Sequence, residues 1–319
     1  MRRILLFLLL LGCQQQPTLQ QIFPLLPPEK IDVTILDTFH FPDSKLVKYD
    51  IRIPSSHAII NNNEELRLQI PCYLFVHNDT TARPGILIIP GNGPGRKSTA
   101  GLVDDYEKGN ALFLAERGFV VITCDTVGAG DYGLALLERN NSRGRSSAII
   151  LSPTSLPGLF HHTSLMSMIL ADQQRTLQVL KQVPRVTRIG AGGASQGGFA
   201  ALTLTALTND IDSVAGMGWL RRFHEIDDDD SSRWWGFPGM GTTVHMKDIA
   251  SAIAPRPALY AVGKQDQTAT PEEAEEVLSS VRPHYRNFGA ENNVTLVVTE
   301  GGHEWDNSRA VEFFRSTLS

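Results

Sequence analysis

Residues 193–197 read Gly-Ala-Ser-Gln-Gly, and no other segment of this chain narrows its possible folds as much. The G-x-S-x-G pattern belongs to a sharp turn from a strand into a helix. The serine backbone there is strained, and side chains two positions before or after it would collide. The flanks agree with that geometry. Thr187-Arg188-Ile189-Gly190 precedes as a strand, and a small-residue helix follows over 199–207, with Gly198 beside the turn. The pattern therefore predicts an α/β protein in which Ser195 is a nucleophile.

The rest of the chain fits such a sheet. Short β-branched runs at 33–36, 46–53 and 66–76 predict an antiparallel start. After Pro84 the rhythm changes. Ile86-Leu87-Ile88-Ile89 is a continuous apolar run closed by Pro90-Gly91, which suits a strand buried on both faces. A helix is expected over 106–117, a strand over 119–125 and a helix over 164–182. Further strands are expected near 214–215, 258–262 and 294–298, with helices over 271–281, led by proline, and 308–318. Strands alternating with helices predict a mostly parallel sheet covered on both faces. One catalytic domain is expected over 30–319. The stretch 219–247 breaks the rhythm with Asp227-Asp228-Asp229-Asp230 and Trp234-Trp235-Gly236-Phe237. A lid or substrate loop and a solvated acidic loop with a satellite apolar cluster suit it equally.

A serine nucleophile on this turn requires an acid and a histidine, following it in that order. Asp266 follows the strand 258–262, at the sheet edge that carries the serine. His303 follows the last strand within Glu300-Gly301-Gly302-His303-Glu304-Trp305, where two glycines let the loop fold back. Glu225 and Asp227 are rival positions for the acid. The oxyanion needs two main-chain N–H groups. They are expected from Gln196, at the start of the helix, and from Asn92 in the Pro90-Gly91-Asn92-Gly93-Pro94-Gly95 loop. That loop lacks the Lys-Ser/Thr ending of a phosphate loop. Trp219, Trp234, Trp235, Phe237 and Trp305 are candidates for the wall of a substrate pocket, with core packing as the alternative for each.

Other chemistries find little support. His161 and His162 are adjacent and share no helix face, no H-E-x-x-H occurs, and the acidic run lacks calcium-loop spacing. No metal or cofactor is expected. The net charge is −5 with no basic block, which disfavours nucleic acid as a partner.

The first thirteen residues read as a secretory signal: Arg2 and Arg3, an apolar run over 4–11, then Gly12 and Cys13. The run is far shorter than the ~20 apolar residues that span a bilayer. Leu10-Leu11-Gly12-Cys13 resembles a bacterial lipobox, which makes Cys13 a lipidation site and the membrane a partner through that anchor. A bacterial cell-envelope location is expected, with plain secretion as the alternative. Residues 14–29, rich in Gln and Pro, read as a tether. Cys72 and Cys124 lie in apolar runs and are expected as buried free thiols, although an envelope location permits a disulfide.

Several segments together resemble a known group. They are Gly118-Phe119-Val120-Val121 with Asp125-Thr126-Val127-Gly128-Ala129-Gly130, Asp172-Gln173-Gln174-Arg175, Ile253-Ala254-Pro255-Arg256-Pro257, and the His303 segment quoted above. From about Pro84 onward the chain resembles the α/β hydrolases related to dienelactone hydrolases and acetyl xylan esterases. The resemblance implies the α/β-hydrolase fold, a Ser195–His303–Asp266 triad and cleavage of carboxylic esters through an acyl-enzyme, including carbohydrate or aryl esters. A serine in place of the cysteine of true dienelactone hydrolases disfavours that specific reaction. Asp172 and Arg175 match the group but read as helix-packing ion pairs. Two alternatives stand beside this reading. A prolyl-oligopeptidase-like peptidase shares the triad but needs a propeller for which the chain has no residues. A non-catalytic surface binding protein on a hydrolase scaffold has no need of all three groups.

Overall fold

The computed structural model describes residues 19, 23, 29–61, 64–132, 165–223, 241 and 243–319, with backbone alone for 57–61 and 64–67. The expected signal, tether and lipidation site Cys13, and likewise Trp234, Trp235, Phe237, Glu225 and Asp227, lie outside the residues described, apart from isolated positions of the tether.

Among the described residues, nine strands form one sheet in the order β1-β2-β3-β5-β4-β6-β7-β8-β9. The strands are β1 (Thr34–His40), β2 (Leu46–Asn61), β3 (Glu64–His77), β4 (Arg83–Ile88), β5 (Val120–Cys124), β6 (Val186–Ala194), β7 (Ser213–Met217), β8 (Ala258–Gly263) and β9 (Val294–Thr299). Pairing is antiparallel from β1 to β3 and across β3–β5, and parallel from β5 through β9. The expected division, an antiparallel N-terminal part and a parallel remainder, is borne out.

The apolar run at β4 shows why. Leu87 and Ile89 enter one buried cluster while Ile86 and Ile88 enter the other, so neither face of the strand meets water. The first cluster is covered by α3 (Leu165–Gln182), α4 (Gln196–Leu207), α5 (Met246–Ala252) and α6 (Pro271–Asn287). The second is covered by α2 (Asn110–Glu116) and α7 (Asn307–Leu318), the short α1 (Arg96–Thr99) preceding them in the chain. Truncating one such Ile or Leu to Ala costs about 2–5 kcal/mol.

Several expectations are corrected. Cys72 and Cys124 are directly opposite in the β3–β5 register and are joined as a disulfide, not free thiols. The stretch 219–247 is not one excursion, because Trp219, Leu220 and Phe223 are buried in the core and α5 begins at Met246. The His245 N–H donates to Asp248 Oδ2 at 2.8 Å, a local start signal for that helix. Helix α6 continues through Pro283 to Asn287. Tyr285 is buried beyond the proline and its hydroxyl donates to the Arg256 carbonyl at 2.9 Å, so packing outweighs the break. Arg175 is ion-paired as expected, with the Glu29 carboxylate rather than with Asp172. Asp172 accepts from Ser55 Oγ at 2.7 Å and Tyr132 Oη at 3.1 Å, while Arg175 Nε donates to the Pro54 carbonyl at 2.6 Å. Both therefore anchor β2 against α3.

The chain leaves β4 toward β5 on one side and returns to β6 on the other. The connections leaving the carboxyl ends of β4 and β6 therefore run to opposite sides, and the point where they part is the usual ligand position in such sheets.

Candidate active site

Ser195 sits at φ 56°, ψ −131° between β6 and α4, a backbone region that side chains rarely adopt. Serine is a favoured helix cap, yet its hydroxyl makes no capping bond here, which leaves it available. The flanking glycines are required sterically. A β-carbon at Gly193 would stand 2.6 Å from the Ile89 carbonyl oxygen and closer still to Gly197, and one at Gly197 would stand 2.7 Å from Pro90 C and overlap the Ile89 carbonyl. The end of β4 is thereby pressed against the serine turn.

The turn is also tied sideways. The Ser195 N–H donates to the Met217 carbonyl at 2.9 Å, and the Gly218 N–H to the Ala261 carbonyl at 2.8 Å. Gly218 has φ +65°, and a β-carbon on it would lie 2.9 Å from the His303 ring and 3.2 Å from Asp266 Oδ2. Only a residue without a side chain lets the imidazole and the carboxylate settle on the end of β7 beside the serine turn. The structure thus brings Ser195, Asp266 and His303 to the carboxyl ends of β6, β8 and β9.

His303 Nδ1 lies 2.9 Å from Asp266 Oδ2. Asp266 Oδ1 accepts the N–H groups of Thr268 at 2.7 Å and Ala269 at 3.1 Å. Burial works to raise the pKa of this carboxyl. The hydrogen bonds from His303, Ala269 and Thr268 outweigh it and hold the group below its ordinary value. The Asp266 side chain is fully buried, while that of His303 is 26% exposed, so the imidazole faces the opening.

Gln196 opens α4, and the first N–H groups of a helix have no acceptor within it. Asn92 follows β4 on the Gly/Pro loop, with its carbonyl and the Gly91 N–H both held. Tyr106 Oη donates to the Asn92 carbonyl at 2.8 Å, and the Gly91 N–H donates to Glu107 Oε1 at 2.7 Å. Glu107 also accepts from Asn110 Nδ2 at 2.7 Å, and burial pushes its pKa up to about 8.

Trp219 and Trp305, expected as candidate pocket walls, are core residues. Trp219 is 3% exposed and stacks on Phe199 with ring centres 5.4 Å apart. Trp305 is fully buried among Ala215, Met217 and Phe314. Large apolar rings beside a sheet gain more from closing the core than from lining an opening.

Sequence reasoning missed three supports. Tyr106 and Glu107 sit in Asp104-Asp105-Tyr106-Glu107-Lys108, a charged run expected to open a helix. Arg96, at 2% exposure, closes the Gly/Pro loop: its Nη1 pairs with Asp125 Oδ2 at 2.7 Å, its N–H donates to Asp125 Oδ1 at 2.7 Å, and its guanidinium lies over the Tyr73 ring at 4.7 Å. The hint in the sequence was an acidic residue, Asp125, directly after β5 and an arginine directly after the Gly/Pro loop.

No protein-family model matches the sequence, and no curated protein sequence matches it. Solved structures do match over nearly the whole chain. A glucuronoyl esterase from Solibacter usitatus is 14% identical, with 96% of this chain and 93% of that one covered and a TM-score of 0.67. A putative acetyl xylan esterase from Bacteroides fragilis is 17% identical, with 93% and 79% covered and a TM-score of 0.64. Acetyl xylan esterase 1 from Thermoanaerobacterium is 19% identical, with 92% and 89% covered and a TM-score of 0.56. At such identities the likeness is one of architecture, and with the nine-stranded mixed sheet it shows that this chain has the α/β-hydrolase fold.

Proposed function

We propose that this protein is a serine esterase that cleaves carboxylic esters, carbohydrate esters in particular, through an acyl-enzyme. The observation that carries this reading is the convergence at one sheet edge of the strained Ser195 turn and the hydrogen-bonded Asp266–His303 pair, bridged by Met217 and Gly218. Structural neighbours named as glucuronoyl and acetyl xylan esterases support the carbohydrate ester.

In this reading His303 takes the Ser195 proton as the hydroxyl attacks the ester carbonyl. Asp266 fixes the imidazole tautomer and stabilises the imidazolium that forms. The N–H groups of Gln196 and Asn92 receive the oxyanion. His303 then protonates the departing alcohol, and water, activated by the same imidazole, releases the acid from Ser195. The roles need no added cofactor.

The proposal extends to location: an exported protein held in the bacterial envelope by lipid on Cys13. The buried Cys72–Cys124 disulfide supports passage through an oxidising compartment. Labelling cells with radioactive palmitate tests the anchor, which an unlabelled mature protein would remove.

Hydrolysis of p-nitrophenyl acetate and butyrate, measured beside Ser195→Ala, tests the chemistry. A rate lost in a folded mutant supports the esterase. Inactivity in both, with no labelling by a fluorophosphonate, sinks the reading and leaves a binding protein on a hydrolase scaffold.

A further inference from the structure

The turn at residues 105–109 stands between the Asn92 loop and the His303 loop and is bonded to both. Toward His303, the Trp305 N–H donates to the Tyr106 carbonyl at 2.8 Å, and Lys108 Nζ meets Glu304 Oε2 at 2.8 Å. Asn307 Nδ2 adds a bond to the Lys108 carbonyl at 2.9 Å, and the Tyr106 ring lies 5.8 Å from that of His303. Toward Asn92 the turn makes the two bonds already described, from the Gly91 N–H to Glu107 and from the Tyr106 hydroxyl to the Asn92 carbonyl.

The placement of those two bonds along the chain matters. The Gly91 N–H belongs to the peptide unit joining residues 90 and 91, and the Asn92 carbonyl to the unit joining 92 and 93. The unit between them carries the Asn92 N–H. With both neighbours held, the α-carbons at 91 and 92 are fixed, and the donor keeps only rotation about the line between them. Gly91 is also pressed against the serine turn, since a β-carbon on it would stand 2.7 Å from the Ala194 carbonyl oxygen. Donors set before the substrate arrives cost no reorganisation when charge develops.

We propose that Tyr106 and Glu107 are positioning residues that preset the Asn92 main-chain N–H as an oxyanion donor beside Ser195. The inference rests on the esterase reading above. Neither side chain is asked to touch the substrate. Both act through the peptide chain of residues 91 and 92, and the same turn fixes the loop carrying His303. Base and donor are therefore held in mutual register by one element. The Tyr106 hydroxyl stays a donor throughout the working range, because burial, with Glu107 and Asp105 beside it, raises its pKa far above the ordinary value.

The test uses the full chain with p-nitrophenyl acetate as substrate and phenylboronic acid as inhibitor, whose tetrahedral adduct fills the oxyanion position. Tyr106→Phe removes one oxygen and is expected to lower kcat about 10–100-fold, less than loss of a whole donor, with KM changed by less than about threefold. Boronic acid inhibition should weaken by the same factor as kcat. Glu107→Gln keeps an acceptor for the Gly91 N–H and should retain at least about tenfold more activity than Glu107→Leu. That comparison stands even where Tyr106→Phe is poorly folded, which circular dichroism reads directly. If the wild type is active, Ser195→Ala is silent, and both Tyr106→Phe and Glu107→Leu keep kcat within about twofold, the positioning role is overturned while the esterase stands. A wild type that is inactive and unlabelled by a fluorophosphonate removes both.

Discussion

Asp266 holds His303 with one carboxylate oxygen at 2.9 Å while its other oxygen is pinned by the N–H groups of Thr268 and Ala269. A carboxylate bound on both oxygens cannot rotate, so the imidazole it holds has one orientation and one tautomer, with Nε2 left for the proposed role of base. Asp266→Asn keeps the volume and an oxygen for the two N–H groups but turns a donor toward Nδ1. The wrong tautomer then faces Ser195. The expected loss is about 10³–10⁴-fold in kcat with little change in folding. Steady-state rates together with a thermal melt check both halves. A loss below tenfold would mean that another acid serves the histidine.

Glu107 leads to a pH prediction. Burial pushes its pKa from 4.5 to about 8, while in the unfolded chain it ionises near the ordinary value. Asp105 is the charged group that acts on it, and it too raises the value. Tyr106 beside it stays neutral, and the Gly91 and Asn110 hydrogen bonds pull the other way. Folding therefore takes up a proton between about pH 4.5 and 8, and stability falls as pH rises through that window, by up to about 1.4 kcal/mol per pH unit. A neutral Glu107 also suits its surroundings. Asn110 Oδ1 is buried without a partner among the described residues, and turning that amide over lets Glu107 Oε2–H donate to it. Glu107→Gln mimics the neutral form, so its Tm relative to wild type should climb steadily from pH 5 to 8. A constant difference across that range would refute the assignment.

The parts of this site that were legible in the sequence are those where backbone geometry dictates residue type. The serine turn could be read because glycine is obligatory at 193 and 197, and Asp266 and His303 because each follows a strand whose apolar run is unmistakable. The parts that were not legible depend on partners far away in the chain. Trp219 and Trp305 look the same in sequence whether they line a pocket or close a core. Cys72 and Cys124 meet only because β3 and β5 pair in one particular register. The turn carrying Tyr106 and Glu107 sits in a run of charges, and a buried carboxylic acid is the last reading such a run invites. The expected helix from 106 begins instead at Asn110, because Gly109 adopts φ 59° and lets the preceding residues turn toward the Asn92 loop.

Gly197→Ala tests the compression between the serine turn and β4. The added β-carbon would overlap the Ile89 carbonyl and crowd Pro90, and both obstacles are main chain directly after β4. No side chain can swing away to relieve the clash. A destabilisation of about 3 kcal/mol or more is expected, together with loss of activity. Chemical denaturation with unchanged m-value would report it. A variant of wild-type stability would show that β4 yields at its end.

The Cys72–Cys124 disulfide joins the last antiparallel strand to the first parallel one, two regions separated by 52 residues of sequence. Closing a loop of that length in the unfolded chain corresponds to about 4 kcal/mol in the chain-entropy account. The bond also sits one residue before Asp125, which holds Arg96 and the end of the Gly/Pro loop. β3 and β5 remain paired by their main chains without it, so the fold should survive reduction. Cys72→Ala with Cys124→Ala is expected to lower the stability to denaturant by about 2–4 kcal/mol. Rates at 25 °C should stay within about threefold of wild type, because the Arg96–Asp125 pair independently secures the loop. A much larger fall in kcat at full folding would instead make the disulfide part of the support for the Asn92 donor. Mass spectrometry of the unreduced protein, showing the two cysteines linked, is the control that gives the comparison meaning.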